Sequence, residues 1–136
     1  MFLFTTKRAK LLRRLEELQL RPPGPQRAAV AAALLKRLPG PVLASLVRAV
    51  ETGACGGESL CCLVAAGGRV RLGRHAPATP PHLLTTQLFR WTDCREEELT
   101  RLPVCPNTEP GLTCLNPWHW GRLLPGNKQC MIPAAL

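Results

Sequence analysis

The sequence contains no tyrosine, and its aromatic residues, three tryptophans and three phenylalanines, make up only 4% of the chain. At 136 residues it has room for one domain and not for two. Leu, Val and Ala must therefore build most of the core, and a structural metal would add what so thin a core lacks. Long apolar runs are also missing. The most apolar stretch, AAVAAALL at 28–35, is closed by Lys36 and Arg37 and falls far short of the roughly 20 residues a membrane span needs. Acidic residues are scarce as well: nine Asp and Glu stand against eighteen Lys and Arg, a formal charge of +9. That excess suits a polyanionic partner, whether nucleic acid, an acidic protein face or an anionic membrane surface, and by itself it suits plain solubility as well.

The opening MFLFTTKRAKLL has too short an apolar segment for a signal peptide. With no secretory route visible, a reducing compartment is expected. The seven cysteines then read as thiols or metal ligands more readily than as disulfides.

Residues 7–20 place Leu11, Leu12, Leu15 and Leu18 at helical spacing among charges, stopped by the Pro-Pro-Gly-Pro of 22–25. This predicts a basic, solvated amphipathic helix on an N-terminal segment, 1–25, that ends in a Pro-rich linker. Helices are also expected from Gln26 to Leu38 and over PVLASLVRAVE from Pro41, packed as an antiparallel pair across Pro39-Gly40. Cys61–Ala65 and Arg69–Leu72 read as two strands around Gly67-Gly68, and 83–91, LLTTQLFRW, as a third strand. The acidic run after Asp93 reads as a short helix. The fold class is α+β, with about four helices and short strands.

Two cysteines near the end frame the chemistry. Cys105 and Cys114 flank the loop PNTEPGLT, whose Pro and Gly can fold it back until the sulfurs meet, and CLNPWHW brings His119 to the same place. Zinc takes thiolate and imidazole in a tetrahedron, and a fourth donor is available from Cys61 or Cys62. The spacing is not a standard zinc-finger pattern. From spacing alone, a zinc site and a cluster of buried cysteines with a core histidine fit equally well.

Three stretches resemble the N-terminal homology domain, MH1, of Smad transcription factors: LLTTQLFRWTD at 83–93, EELTRLPVC at 97–105 and CLNPWHWGRL at 114–123. MFLFTTKRAKLLRRL, LVRAVETGACGG and LFRW resemble the inhibitory branch of that family. The resemblance covers the chain from the second helix to Leu123, so 26–123 is expected to be an MH1-like zinc-binding domain and 124–136 a tail. It implies one zinc ion held by three cysteines and one histidine. By motif these fall on Cys105, Cys114 and His119, with Cys61 in the remaining place and its neighbour Cys62 the alternative. Four protein ligands leave no open position, so the metal is expected to be structural.

The resemblance also implies a DNA-reading hairpin. Its base-contacting Arg, Gln and Lys positions fall on Arg71, Gly73 and Ala78, so two of the three readers are missing, and prolines interrupt one strand. A lone Arg71 is a weak reader. Arg69, Arg71 and Arg74, with Lys36 and Arg37, can still neutralise phosphates, so weak and largely non-specific DNA binding is expected. The alternative is sequence-specific binding through Arg71. A zinc or cysteine enzyme is a third class, disfavoured because no Cys–His pair with an orienting carboxylate stands out. The resemblance implies a regulator of transforming-growth-factor/bone-morphogenetic-protein signalling in nucleus and cytoplasm. It would work with other Smads or transcriptional regulators, without a small-molecule substrate or a membrane. Nothing in these residues matches the family's C-terminal domain, and without tyrosine its Pro-Pro-x-Tyr element is absent. Receptor inhibition by the family's usual route is therefore not expected of this chain alone.

Overall fold

The computed structural model describes residues 6–20, 24–53, 61–70, 78–123 and 130–131. Helix α1, Lys7–Leu18, starts where the Thr6 hydroxyl accepts the Ala9 N–H at 3.0 Å. Helix α2, Pro25–Arg37, has proline in its first turn and Lys36 and Arg37 in its last, where cations offset the helix dipole. Helix α3, Gly40–Thr52, buries Leu43, Leu46, Val47 and Ala49. All three lie close to where the leucine and alanine spacing predicts them.

Their packing differs from the expectation. The extensive helix contacts are α1 on α3 and α2 on helix α4, Pro81–Phe89, rather than α2 against α3. Only Leu38 and Pro39 separate α2 from α3, and both are extended, which redirects the chain without folding it back. Nor is α1 a solvated appendage. Leu15 is fully buried within the core cluster, and Arg14 Nε meets Glu51 Oε2 of α3 at 2.6 Å. Arg8 donates to the carbonyls of Leu38, at 2.7 Å, and Lys36, at 2.5 Å.

The expected strand over 83–91 is instead α4. Pro81 occupies its first turn, and the hydroxyls of Thr85 and Thr86 donate to the His82 carbonyl at 3.1 and 2.6 Å. Leu83, Leu84, Thr85, Thr86, Leu88 and Phe89 are all buried. A helix covered on most sides shows no polar face, so its sequence loses the 3.6-residue signature and leaves only the Thr and aromatic content of a strand.

The expected hairpin of 61–65 with 69–72 is also corrected. Strand β1, Leu63–Ala65, pairs with β3, Leu112–Cys114, in the register Leu63–Cys114, Val64–Thr113 and Ala65–Leu112. Gly67, at φ 85°, makes the turn after β1. Val70 pairs instead with Thr79 through two 2.8 Å bonds, and 71–77, including Arg71, Gly73 and Arg74, lie outside the described residues. After Asp93 the chain makes only a 3₁₀ turn, Glu96–Glu98, before β2, Leu99–Arg101. A second sheet runs β2–β4–β5, with β4 Trp120–Leu123 and β5 Cys130–Met131, all antiparallel. Helices packed on two small antiparallel sheets make the fold α+β. Among the described residues no helix is long and apolar enough to cross a membrane.

Candidate metal centre

Four side chains from separate parts of the chain meet between the sheets. Cys61 leads into β1, Cys105 follows β2, Cys114 ends β3 and His119 ends a 3₁₀ turn, Pro117–His119. The turn is capped by Asn116, whose Oδ1 accepts the Trp118 N–H at 2.9 Å, and Pro117 fixes its first residue. The loop between Cys105 and Cys114 closes on Asn107. Its Oδ1 accepts the Glu109 N–H at 3.0 Å, its amide donates to the Leu112 carbonyl at 3.2 Å, and Arg101 donates to its carbonyl at 2.7 Å. Pro110 and Gly111 form the turn beyond it, where the Leu112 N–H reaches the Glu109 carbonyl at 3.2 Å.

The ligand atoms of Cys61, Cys105, Cys114 and His119 all lie within 4.8 Å of one another. Cys61 Sγ is 3.8 Å from Cys105 Sγ and 3.7 Å from His119 Nδ1, and Cys114 Sγ is 3.4 Å from that nitrogen. Tetrahedral coordination with ordinary zinc–sulfur and zinc–nitrogen lengths puts sulfurs about 3.8 Å apart and sulfur about 3.6 Å from nitrogen. The donor set and its spacing therefore fit a four-coordinate metal ion. Cys62 is not part of this group. It is buried in the hydrophobic core, and its carbonyl accepts the Leu115 N–H at 2.8 Å. Cys94 is buried elsewhere, with its thiol 3.5 Å from the Arg95 carbonyl.

Burial pushes the Cys61 thiol up to about 12, with the neighbouring Cys114 adding to it, and pushes Cys114 up to about 11. Burial also holds the His119 imidazole below its ordinary value, favouring the neutral ring that binds metals. Crowded thiols of this kind ionise readily only beside a cation, as metal ligation would provide.

An aromatic layer supports the histidine. Arg90, just past α4, lies 3.8 Å from the ring centre of Trp91 and 4.5 Å from that of Trp118, and donates to the carbonyls of Pro117 and Trp120 at 3.1 and 2.6 Å. It thus fixes both ends of the His119 turn through cation–π contact and hydrogen bonds. Trp120 Nε1 donates to the Cys114 carbonyl at 2.8 Å. Gly53, the C-cap of α3, takes φ 60°, a conformation that side chains disfavour, and ends that helix against the Trp118 ring, which a Cβ would meet at 3.5 Å. Arg122 of β4 pairs with Glu98 at 3.1 Å and Asp93 at 2.9 Å. Neither Arg90 nor Arg122 is among the site residues expected from the sequence. The signal available was an arginine beside a tryptophan in FRW and one shortly after the WHW of WHWGR.

His82 stacks on Trp120 with ring centres 4.4 Å apart. Burial lowers its pKa, with Glu96 opposing and Arg69 adding to the shift. The unfolded chain then takes up a proton that the folded chain resists, so this contribution is present above about pH 6.5 and is lost as pH falls below it. His82→Phe keeps a stacked ring without the titration. Its melting temperature is expected to fall less than that of the wild type between about pH 7.5 and pH 5.5.

Of the expected DNA contacts, Lys36, Arg37 and Arg69 lie among the described residues. Lys36 and Arg37 are exposed at the end of α2. Arg69 is tied to Glu96 at 2.9 Å and to the Ala78 carbonyl at 3.4 Å, while Arg71 and Arg74 lie outside the described residues.

Comparison with known proteins agrees with this architecture. The family model of the MH1 domain matches residues 27–124. The chicken (Gallus gallus) protein "Mothers against decapentaplegic homolog 6" is 43% identical over 99 residues, which cover 70% of this chain. The match spans only 22% of that relative's length. A match over most of the chain, on a scaffold that gathers three cysteines and a histidine, makes this protein a member of the MH1-domain family.

Proposed function

We propose that this protein is a non-catalytic regulatory module of Smad type whose MH1 unit, residues 26–123, is held together by one structural zinc ion. Cys61, Cys105, Cys114 and His119 are its ligands. The observation that carries this reading is the convergence of Cys61 with Cys105, Cys114 and His119, which lie far along the chain from it, with all four ligand atoms within 4.8 Å of one another. When bound, zinc would supply the positive charge that keeps three thiolates together, those of Cys105 and Cys114 buried and that of Cys61 half-buried, and four protein ligands leave it no position for a substrate. The family match, with the resemblance of MFLFTTKRAKLLRRL and LFRW to the inhibitory Smad branch, supports a role in growth-factor signalling, exercised in nucleus and cytoplasm through other Smads or transcriptional regulators.

DNA is the second partner in this reading, bound weakly and largely without regard to sequence through Lys36, Arg37, Arg69, Arg71 and Arg74. The Arg69–Glu96 pair supports weakness, because that cation is already partly neutralised. Metal analysis of purified protein is expected to give one zinc per chain. Binding to a Smad-element duplex and to a scrambled duplex is expected to be nearly equal. If about three phosphates are neutralised, affinity falls about forty-fold between 50 and 200 mM salt. A strong preference for the element that survives high salt would instead favour sequence-specific reading through Arg71.

A further inference from the structure

A groove of about 380 Å³ lies between β1 and the end of α2, lined among others by Leu34, Arg37, Leu38, Leu63, Pro81 and Leu112. One wall of it is a strand edge. Among the described residues β1 pairs only with β3. The Leu115 N–H donates to the Cys62 carbonyl at 2.8 Å and the Ala66 N–H to the Gly111 carbonyl at 2.9 Å. Bonding in an antiparallel ladder alternates residue by residue. Residues 62, 64 and 66 therefore direct their backbone groups to β3, while Leu63 and Ala65, opposite Cys114 and Leu112, direct theirs to the other side. Gly68, just past the turn that follows β1, lies against the Ala65 carbonyl oxygen. A Cβ there would stand 3.4 Å from the Ala65 carbonyl oxygen and 3.8 Å from Arg37 Nη2.

We propose that this groove binds a short extended peptide bearing acidic side chains, added as a new strand on the edge of β1 that faces away from β3. The outward N–H and C=O groups of Leu63 and Ala65 provide the main-chain partners such a strand needs, and the leucines and prolines of the walls receive alternate side chains. Charge selects the occupant. Among the described residues that line it the one charged residue is Arg37, which is exposed and makes no ion pair with the others described, and none of them is acidic. Lys36 stands beside it, also exposed. A basic peptide is repelled here, and so is a second copy of a chain that itself carries +9. Nucleic acid offers phosphates for Arg37 and Lys36 but no amide ladder for Leu63 and Ala65.

The test titrates the metal-loaded full chain with a blocked heptapeptide alternating glutamate and valine. Calorimetry gives the affinity, and amide hydrogen exchange reads individual positions. Binding is expected to slow exchange at Leu63 and Ala65. The same peptide N-methylated on alternate amides keeps its side chains but loses the ladder bonds, and is expected to bind about ten-fold more weakly. Ala65→Pro removes an outward N–H without touching a bond to β3 and is expected to weaken binding comparably at unchanged metal content. If that variant fails to hold metal, Gly68→Val, which narrows the groove from outside the ladder, serves the same purpose. Arg37→Glu is expected to weaken binding about five-fold, and replacing the peptide's glutamates with lysines to abolish it. The proposal is overturned if the plain and N-methylated peptides bind equally. It is equally overturned if exchange at Leu63 and Ala65 is unchanged at saturation, or if the plain peptide does not bind.

Discussion

Replacing His119 with alanine is expected to yield a chain that holds no tightly bound metal and shows no cooperative unfolding transition. The imidazole and three sulfurs come from four places in the sequence and meet where the C-terminal sheet approaches the start of β1. Structural zinc contributes on the order of 10–16 kcal/mol in small domains, comparable to or above the roughly 5–15 kcal/mol by which whole proteins are stable. Removing one ligand weakens that hold and leaves buried thiols without their cation. Chelation of the wild type is expected to give the same result. Cys62→Ala is the internal control: it disturbs core packing but leaves every donor in place, so metal content should stay at one per chain. Circular dichroism melts beside metal quantification decide the matter. A His119→Ala protein that keeps one metal and melts like the wild type would refute the four-ligand site.

Leu15→Ala is expected to destabilise the protein by about 3 kcal/mol, within the range for emptying a fully buried leucine site. Leu15 has no exposed surface and belongs to the cluster that includes Leu43, Leu46 and Leu88. The urea midpoint should fall with little change in slope, because the same surface is exposed on unfolding. Arg13→Ala, on the exposed side of the same helix, should move the midpoint little. A small effect of Leu15→Ala would mean that α1 is a detachable extension and not part of the core.

What the sequence disclosed follows from how each part meets water. Helices α1, α2 and α3 each keep a solvent face, so Leu11, Leu12, Leu15 and Leu18, or Leu43, Leu46 and Val47, appear at helical spacing among polar residues and mark the element. Helix α4 has almost no such face, and its Thr85 and Thr86 satisfy their hydroxyls on the helix's own backbone. Nothing in LLTTQLF distinguishes that from a buried strand. The pairing of β1 was hidden for another reason. Gly67 and Gly68 do make the expected turn, but the partner of Leu63–Ala65 lies far along the chain at Leu112–Cys114, and local turn residues carry no information about distant partners. Cys105, Cys114 and His119 stood out because they are close in sequence. Cys61 and Cys62 could be told apart only by which thiol the strand turns toward the histidine and which into the core. Arg90 escaped notice because an arginine before a tryptophan looks like any surface cation until Trp118 is seen closing over it.

All three tryptophans of the chain, Trp91, Trp118 and Trp120, sit in the layer around Arg90 and the His119 turn, and there is no tyrosine to transfer excitation to them. Intrinsic ultraviolet emission from this molecule therefore originates from one neighbourhood, beside the guanidinium and the ligand cluster. Light from the native protein reports first on that corner, where the end of α3 meets Trp118 and His82 of α4 meets Trp120.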